Sequence, residues 1–386
     1  ISEKIEKNNL PKQAGDFLWK VAEDSANYSF NKSHSLSYAT LSAWTVYLKN
    51  KFPQDFFLSL LSLSKFEPNP QEEINKISQD LPHFNISLLP PDLGKSNMDF
   101  SKEGKDIRFG LNSIKGVSEK SLKSLSNFRS KKSPNKFDIF VAAKLSGLNI
   151  GILSSLIQAG CLSEAESSRP LLVLEAQSFN LLTDREKRNI INIGEKYNYK
   201  LLDIIAAAKD GLIAEDGKPL MKESRFNTFK KKYDDYKKIY LQNRKFEKFA
   251  NWYFERKLLG YSYTEDLKSV FKNSENILNS IDYKEMRERE RGKFVGVVED
   301  SFKGVSRNGN AYLKIVLSDE YGKYSVMLCD NRRYSRYTEF FNKEDSFTPK
   351  KDDIISVFGS KFSDALFAES IDLLNEKIFM KLGDLN

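Results

Sequence analysis

The densest polar run in the chain is Phe30-Asn31-Lys32-Ser33-His34-Ser35-Leu36-Ser37-Tyr38. Serines such as Ser33, Ser35 and Ser37 favour helix N-caps, and a helix start presents unbonded backbone N–H groups with a partial positive charge. Beside Lys32 and His34 such groups can hold a phosphate, and the Tyr38 ring offers a surface for a base. A capped helix with a surface histidine accounts for the same residues, and composition does not choose between the two. Other chemistry is poorly provided for. Cys161 and Cys329 lie far apart with no CxxC partner, and His34 and His83 are the only histidines, so neither a disulfide framework nor a zinc centre is expected. An Asp-x-Asp pair, a Walker loop and a Gly-x-Ser-x-Gly elbow are absent from the sequence. The expectation is no catalytic residue and no metal ligand, with any bond-making step needing help from elsewhere.

The elements that must position these residues change character along the chain. Asp16 to Phe66 reads as helical, with Leu41, Trp44, Tyr47 and Leu48 at helical spacing and a break at Pro53. Phe30, Trp44 and Tyr47 are expected in the core. Glu72 to Leu81 predicts a helix, and Ile86 to Leu89 a short strand stopped by Pro90-Pro91. Glycines punctuate Ile107 to Leu162, which suits compact helical hairpins. Ser167 to Leu182, Arg185 to Lys209 and the basic, aromatic stretch Lys222 to Leu259 predict further helices, the last read as a solvated face. From Gly292 the period becomes two. Lys293–Val298, Ala311–Leu317 and Tyr324–Cys329 predict strands, the first two joined at Asn308-Gly309. A helix near Arg332–Phe341 then precedes strands at Ile354–Gly359 and Leu366–Ile371, the layout of a small Greek-key barrel of the OB type. No internal repeat is expected.

Composition agrees with a multidomain protein, mainly α and ending in an all-β barrel. Its 386 residues suggest about two to three domains. The 28 Phe, 17 Tyr and 3 Trp supply a core, and 61 Lys and Arg against 53 Asp and Glu give a net charge of +8, which favours a polyanionic partner. No run approaches the roughly 20 apolar residues that cross a bilayer. The start, Ile1-Ser2-Glu3-Lys4, carries neither an initiator Met nor a signal sequence, so a piece of a longer, cytoplasmic chain is expected. Richness in Lys, Asn, Ser and Phe fits an AT-rich genome, for instance a phage.

Several strings together carry a resemblance. Tyr28 through Ser35, Tyr38, Tyr47-Leu48-Lys49 and Phe52-Pro53 with Phe56-Phe57 resemble the end of the fingers in the alpha subunit of bacterial DNA polymerase III, the C-family replicative polymerases. Leu88-Leu89-Pro90-Pro91-Asp92, Arg108-Phe109-Gly110-Leu111 and Ile114-Lys115-Gly116-Val117 resemble the strand and helix-hairpin-helix segment that follow. Leu148-Asn149 and Leu156 to Gly160 resemble the next helices, Glu255 to Gly260 the approach to the OB domain, and Gly292 onward that domain itself. The order matches over most of the chain.

The resemblance implies late fingers over 1–66, a connector over 67–105, a helix-hairpin-helix region over 106–165, a basic helical connector over 166–290, an OB domain over 291–374 and a tail over 375–386. It implies that Lys32 and His34 face an incoming nucleoside triphosphate, with Tyr38 near base or ribose and Asn31 and Ser33 in support. Around Lys115, Gly116, Val117 and Ser118, with Lys120 and Lys123 beyond, backbone N–H groups are expected to approach a DNA phosphate independently of sequence. The family pattern is Gly-Val-Gly, and Ser118 stands at the last position, where positive φ is harder to adopt. On the OB domain Phe294, Lys303, Arg307, Tyr312, Lys314 and Tyr324 are candidates for a single-strand groove, about half of them core by strand alternation. Gln177-Ser178-Phe179-Asn180-Leu181-Leu182 is the nearest string to a sliding-clamp peptide, or one amphipathic helical turn. Implied partners are primer–template and single-stranded DNA, a dNTP, a palm-bearing segment or subunit, and a sliding clamp. Mg2+ would be bound outside this segment, in a cell's or phage-infected host's cytoplasm, and the segment alone would be inactive. A non-catalytic accessory protein derived from the polymerase, or a general single-strand binder, are the other readings.

Overall fold

The computed structural model describes residues 7–8, 11–26, 32–162, 167–271, 276–329 and 349–374. The chain divides into two compact units, Ile1–Phe57 and Leu58–Asn386. The helix expected near Arg332–Phe341, the 375–386 tail, Phe30 and Asn31 lie outside the described residues.

The first unit contains α1 (Lys12–Ala26), α2 (Lys32–Lys51) and the start of α3 (Pro53–Leu63). Pro53 opens α3, where its missing N–H costs nothing. Trp44 and Tyr47, expected in the core, are 63% and 59% exposed. The reason is their distribution: Leu36, Tyr38, Leu41, Trp44, Val46 and Tyr47 fall all round α2 rather than on one stripe, and all are exposed.

The second unit runs from helices to a barrel. After α4 (Pro70–Asp80), β1 (Leu88–Leu89) pairs in parallel with β3 (Asp106–Arg108), which also pairs antiparallel with β2 (Ser101–Glu103). Then come α5 (Leu122–Arg129), α6 (Lys136–Leu145), α7 (Ile150–Gln158), α8 (Arg169–Asn180), α9 (Asp184–Asn192) and α10 (Leu201–Lys209). The long basic stretch forms α11 (Glu223–Lys245) and α12 (Glu247–Leu259), broken at Phe246. Short α13 (Leu267–Val270), β4 (Ile277–Leu278) and α14 (Ser280–Glu285) lead into the barrel.

The barrel strands are β5 (Arg291–Val305), β6 (Ala311–Ser318), β7 (Lys323–Cys329), β8 (Ile354–Phe362) and β9 (Ala365–Leu373). Their order is β5-β6-β7-β9-β8, and β8 closes back onto β5. β7 and β9 run parallel, and the other barrel pairs are antiparallel. β5 can serve both neighbours because a bulge between Val298 and Asp300 bends it, so its first half pairs with β8 and its second with β6. Alternate residues fill the interior, among them Phe294, Val298, Leu313, Ile315, Tyr324, Val326 and Ile355. This is the five-stranded OB-type barrel expected from the period-two segments.

Helix α12 is the strut between the two parts of the second unit. Phe249 and Trp252 pack with Val295, Val297 and Ile354 of the barrel. The Trp252 indole N–H donates to Glu320, and Arg256 donates to Glu299 at 3.2 Å and to Ser318 Oγ at 2.8 Å. Burial raises the Glu320 carboxyl above its ordinary value against the opposing pull of the Trp252 hydrogen bond. A carboxyl that holds its proton more tightly when folded favours the folded state at low pH and loses that advantage as pH rises from its unfolded value, about 4.3, toward the folded one. Wild type is therefore expected to lose stability relative to Glu320→Gln as pH rises above the ordinary carboxylate range. Urea unfolding of both proteins at several pH values measures it, and a difference that does not change with pH would refute it.

Candidate nucleic-acid interface

The first hairpin is built on buried apolar residues. Ile114 and Val117 are in the core, while Lys115, Gly116 and Ser118 are exposed. The Lys115 N–H donates to Leu258 O of α12 at 2.9 Å and the Val117 N–H to Ile114 O at 3.0 Å. Gly116 has φ +92°, a conformation that glycine adopts without strain. Ser118 has φ −96° and ψ 163°, extended backbone open to any residue, so this hairpin does not need glycine there. Its hydroxyl lies 3.2 Å from Ser121 Oγ. Among the described residues neither the Gly116 nor the Ser118 N–H has a hydrogen-bond acceptor. Lys120 and Lys123 follow, both exposed, on a short 3₁₀ helix and on α5.

A second hairpin answers the first, and sequence reading missed it as a repeat. Between α6 and α7, Gly147 has φ +75°, Leu148 is buried, and Asn149 caps α7 by accepting from the Gly151 N–H at 2.7 Å. Gly116, Val117, Ser118, Ser124 and Leu125 recur at one constant offset as Gly147, Leu148, Asn149, Ser155 and Leu156. The packing is reciprocal: a Cβ on Gly116 would meet Ser155 Oγ at 3.6 Å, and one on Gly147 would meet Ser124 Oγ at 3.5 Å. Each hairpin thus faces the second helix of the other. Only glycine, small apolar and serine positions are shared, too weak a pattern to stand out as a repeat in one sequence.

On the barrel the candidates separate by strand face. Phe294 and Tyr324 are core, 0% and 4% exposed, so neither can stack on a base. Lys303, Arg307 and Lys314 are exposed and Tyr312 is half-buried. Phe302, which sequence reading passed over, is 57% exposed, and its ring centroid lies 6.2 Å from that of Tyr312. The register sets Phe302 opposite Lys314 and Gly304 opposite Tyr312. Gly304 makes room: a Cβ there would lie 2.6 Å from the Tyr312 ring and 2.8 Å from Phe302. Two rings and a lysine therefore share the outer face of the β5–β6 ribbon. The period-two signal could have found Phe302, because it has the parity of Gly304 on a strand expected to end earlier.

The remaining candidates fare differently. α2 begins at Lys32, so Ser33, Ser35 and Ser37 lie within its first turns and not at its N-cap. Asn31 lies outside the described residues, as do the side chains of Lys32 and Ser33. His34 and Tyr38, one helical turn apart, are exposed with ring centroids 4.4 Å apart. Of the two readings of Gln177 to Leu182, the structure has the helical one: the string closes α8, with Gln177, Phe179 and Leu182 7%, 3% and 4% exposed and Leu181 at the C-cap. Phe179 stacks with Phe137 at 5.9 Å, so the string offers no free extended peptide. Among the described residues no group of three His, Cys, Asp or Glu is placed to hold a metal ion. No helix among them is long and apolar enough to cross a membrane.

A family model for a helix-hairpin-helix motif matches residues 85–172, which contain both hairpins. DNA polymerase III subunit alpha of Aquifex aeolicus is 37% identical over 159 residues, 40% of this chain and 13% of that protein. The Campylobacter jejuni subunit is 25% identical over 334 residues, 84% of this chain. The chain is homologous to the C-terminal portion of DNA polymerase III subunit alpha. It spans about an eighth to a quarter of these bacterial relatives, 13% of the Aquifex and 25% of the Campylobacter protein. Among solved structures, a domain of replication protein A from Methanococcus maripaludis overlaps 25% of this chain and 94% of its own, at 17% identity and a TM-score of 0.20.

Proposed function

We propose that this chain supplies the DNA grip and part of the nucleotide pocket of a replicative DNA polymerase. The tandem hairpins hold backbone phosphates of a primer–template duplex, and the β5–β6 face of the barrel takes single-stranded template. Lys32, His34 and Tyr38, with Asn31 and Ser33, serve the incoming dNTP. The two-metal step needs carboxylates that hold Mg2+. These belong to a palm on another segment or subunit, so the chain alone leaves a primer unextended. The supporting observation is the reciprocal pair of glycine hairpins in the same compact unit as a closed barrel with an exposed aromatic and basic face.

Titration of labelled primer–template duplex against the full chain tests the reading. Gly116→Ala together with Gly147→Ala forces Cβ atoms into left-handed backbone, at about 1–2 kcal/mol each, and is expected to lower duplex affinity about tenfold, the equivalent of ~1.4 kcal/mol. Single-strand affinity is expected to stay within about twofold, well under the same ~1.4 kcal/mol. Duplex affinity untouched by both changes would sink the hairpin assignment, and primer extension by the chain alone would sink the division of labour.

A further inference from the structure

Away from the barrel and from both glycine turns, the second unit contains a cleft of about 850 Å³. This lies within the roughly 300–1,000 Å³ range of ligand sites. One side is cationic, formed by Arg129 at the end of α5, Lys131 and Lys132 just after it and Lys136 at the start of α6, and Tyr199 lies on its lining. Lys136 is neutralised from below by Glu175, 2.7 Å away and 1% exposed, so it adds little net charge. Arg129 donates to Gly94 O at 3.3 Å. Lys131 and Lys132 are exposed, and among the described residues neither has an ion-pair or hydrogen-bond partner for its ammonium. Asp92 lines the cleft too, but its Oδ1 accepts from the Gly94 and Lys95 N–H groups at 2.8 and 2.9 Å in a closed turn. Among the described residues the lining therefore carries surplus positive charge.

The aromatic side is held with unusual firmness. Asn198 and Tyr199 have φ 50° and 55°, and a bulky residue adopts that conformation only where its surroundings enforce it. The Tyr199 N–H donates to Gly194 O at 2.8 Å, the ring stands edge-on to Phe137 at 5.7 Å, and a Cβ at Gly194 would lie 3.0 Å from the ring. Gly194 and this turn thus fix the ring, while among the described residues the Tyr199 hydroxyl has no hydrogen-bond partner. A fixed ring beside uncompensated ammonium groups is the combination that takes a base and its flanking phosphates from an unpaired strand, since a base within a duplex cannot reach a recessed ring.

We propose that this cleft is a second single-strand nucleic-acid site, with phosphates on Lys131 and Lys132 and a base against Tyr199. It goes beyond the barrel face, and either can fail without the other. The test titrates labelled oligothymidylate against the full chain over a salt series. Lys131→Ala with Lys132→Ala is expected to flatten the slope of log affinity against log salt by about 1.4, two contacts at ~0.7 each. Lys231→Ala with Lys238→Ala removes the same charge from exposed positions on α11 and is expected to leave the slope unchanged. Oligonucleotide carrying 5-iodouracil is expected to photocrosslink at Tyr199. An unchanged slope for the first pair, an equal drop for both pairs, or crosslinks confined to the barrel would overturn the cleft. If barrel changes weaken binding in that case, the barrel reading survives; if wild type binds no strand, both fall.

Discussion

Arg169→Ala is expected to lower the unfolding free energy of the second unit by about 3–5 kcal/mol, the usual cost of breaking a buried ion pair. Glu255 is 0% exposed, and Arg169 Nη1 reaches its Oε1 at 2.5 Å. The other carboxylate oxygen accepts from Ser262 Oγ at 2.8 Å, the Tyr263 N–H at 2.9 Å and the Thr264 N–H at 3.1 Å, while the Thr264 hydroxyl donates to Oε1. Arg169 also donates to Tyr263 Oη at 2.9 Å, and that hydroxyl donates to Ala159 O at 2.9 Å. One carboxylate thus ties α12, the turn after it, the start of α8 and the end of α7. Losing Arg169 leaves its charge buried with neutral donors only. Arg169→Lys keeps the charge but not the fork of donors and is expected to fall between. Urea denaturation followed by circular dichroism measures the three proteins. A loss under about 1 kcal/mol, typical of an exposed pair, would show that the network bears no weight.

That network was invisible in the sequence for a physical reason. Arg169 and Glu255 are far apart along the chain, and a buried pair has no periodicity to announce it; only the fold brings them together. Glu255 entered the sequence reading solely within the string Glu255 to Gly260 that resembles the polymerase family. What periodicity does encode came through well: the barrel strands lie close to where alternation put them, because each buries one face and a one-residue slip would turn every side chain over. The Gly116 hairpin was legible because positive φ selects glycine. Failures fell where local pattern and global packing part company. Trp44 and Tyr47 have helical spacing, yet α2 spreads its large apolar residues round its surface. Gln177 to Leu182 left a docking peptide and a helical turn both open, and only packing decides for the helix, since Phe179 belongs to an aromatic cluster with Phe137 and Phe140. Composition alone cannot tell a peptide kept free for a partner from a helix that has already found its place.

The barrel face carries the other large expectation. Phe302→Ala and Tyr312→Ala are each expected to weaken single-strand binding by about 1–3 kcal/mol, the worth of one stacked base, or roughly 5- to 150-fold in affinity. The two rings flank the space left by Gly304 and lie beside Lys314, so a strand crossing β5 and β6 meets stacking surface and charge together. Salt separates the two contributions. Removing a ring takes away no charge, so both alanine variants keep the wild-type salt slope, whereas Lys314→Ala flattens it by about 0.7 while leaving the stacking surface intact. Phe294→Leu serves as the contrast: that ring is fully buried in the barrel, and its loss is expected to lower stability with little change in affinity once the protein is folded. Anisotropy titrations with labelled oligothymidylate read all four variants. If neither ring matters while Lys314 does, the barrel grips backbone alone, and the pairing of Phe302 with Tyr312 is a structural contact rather than a platform for bases.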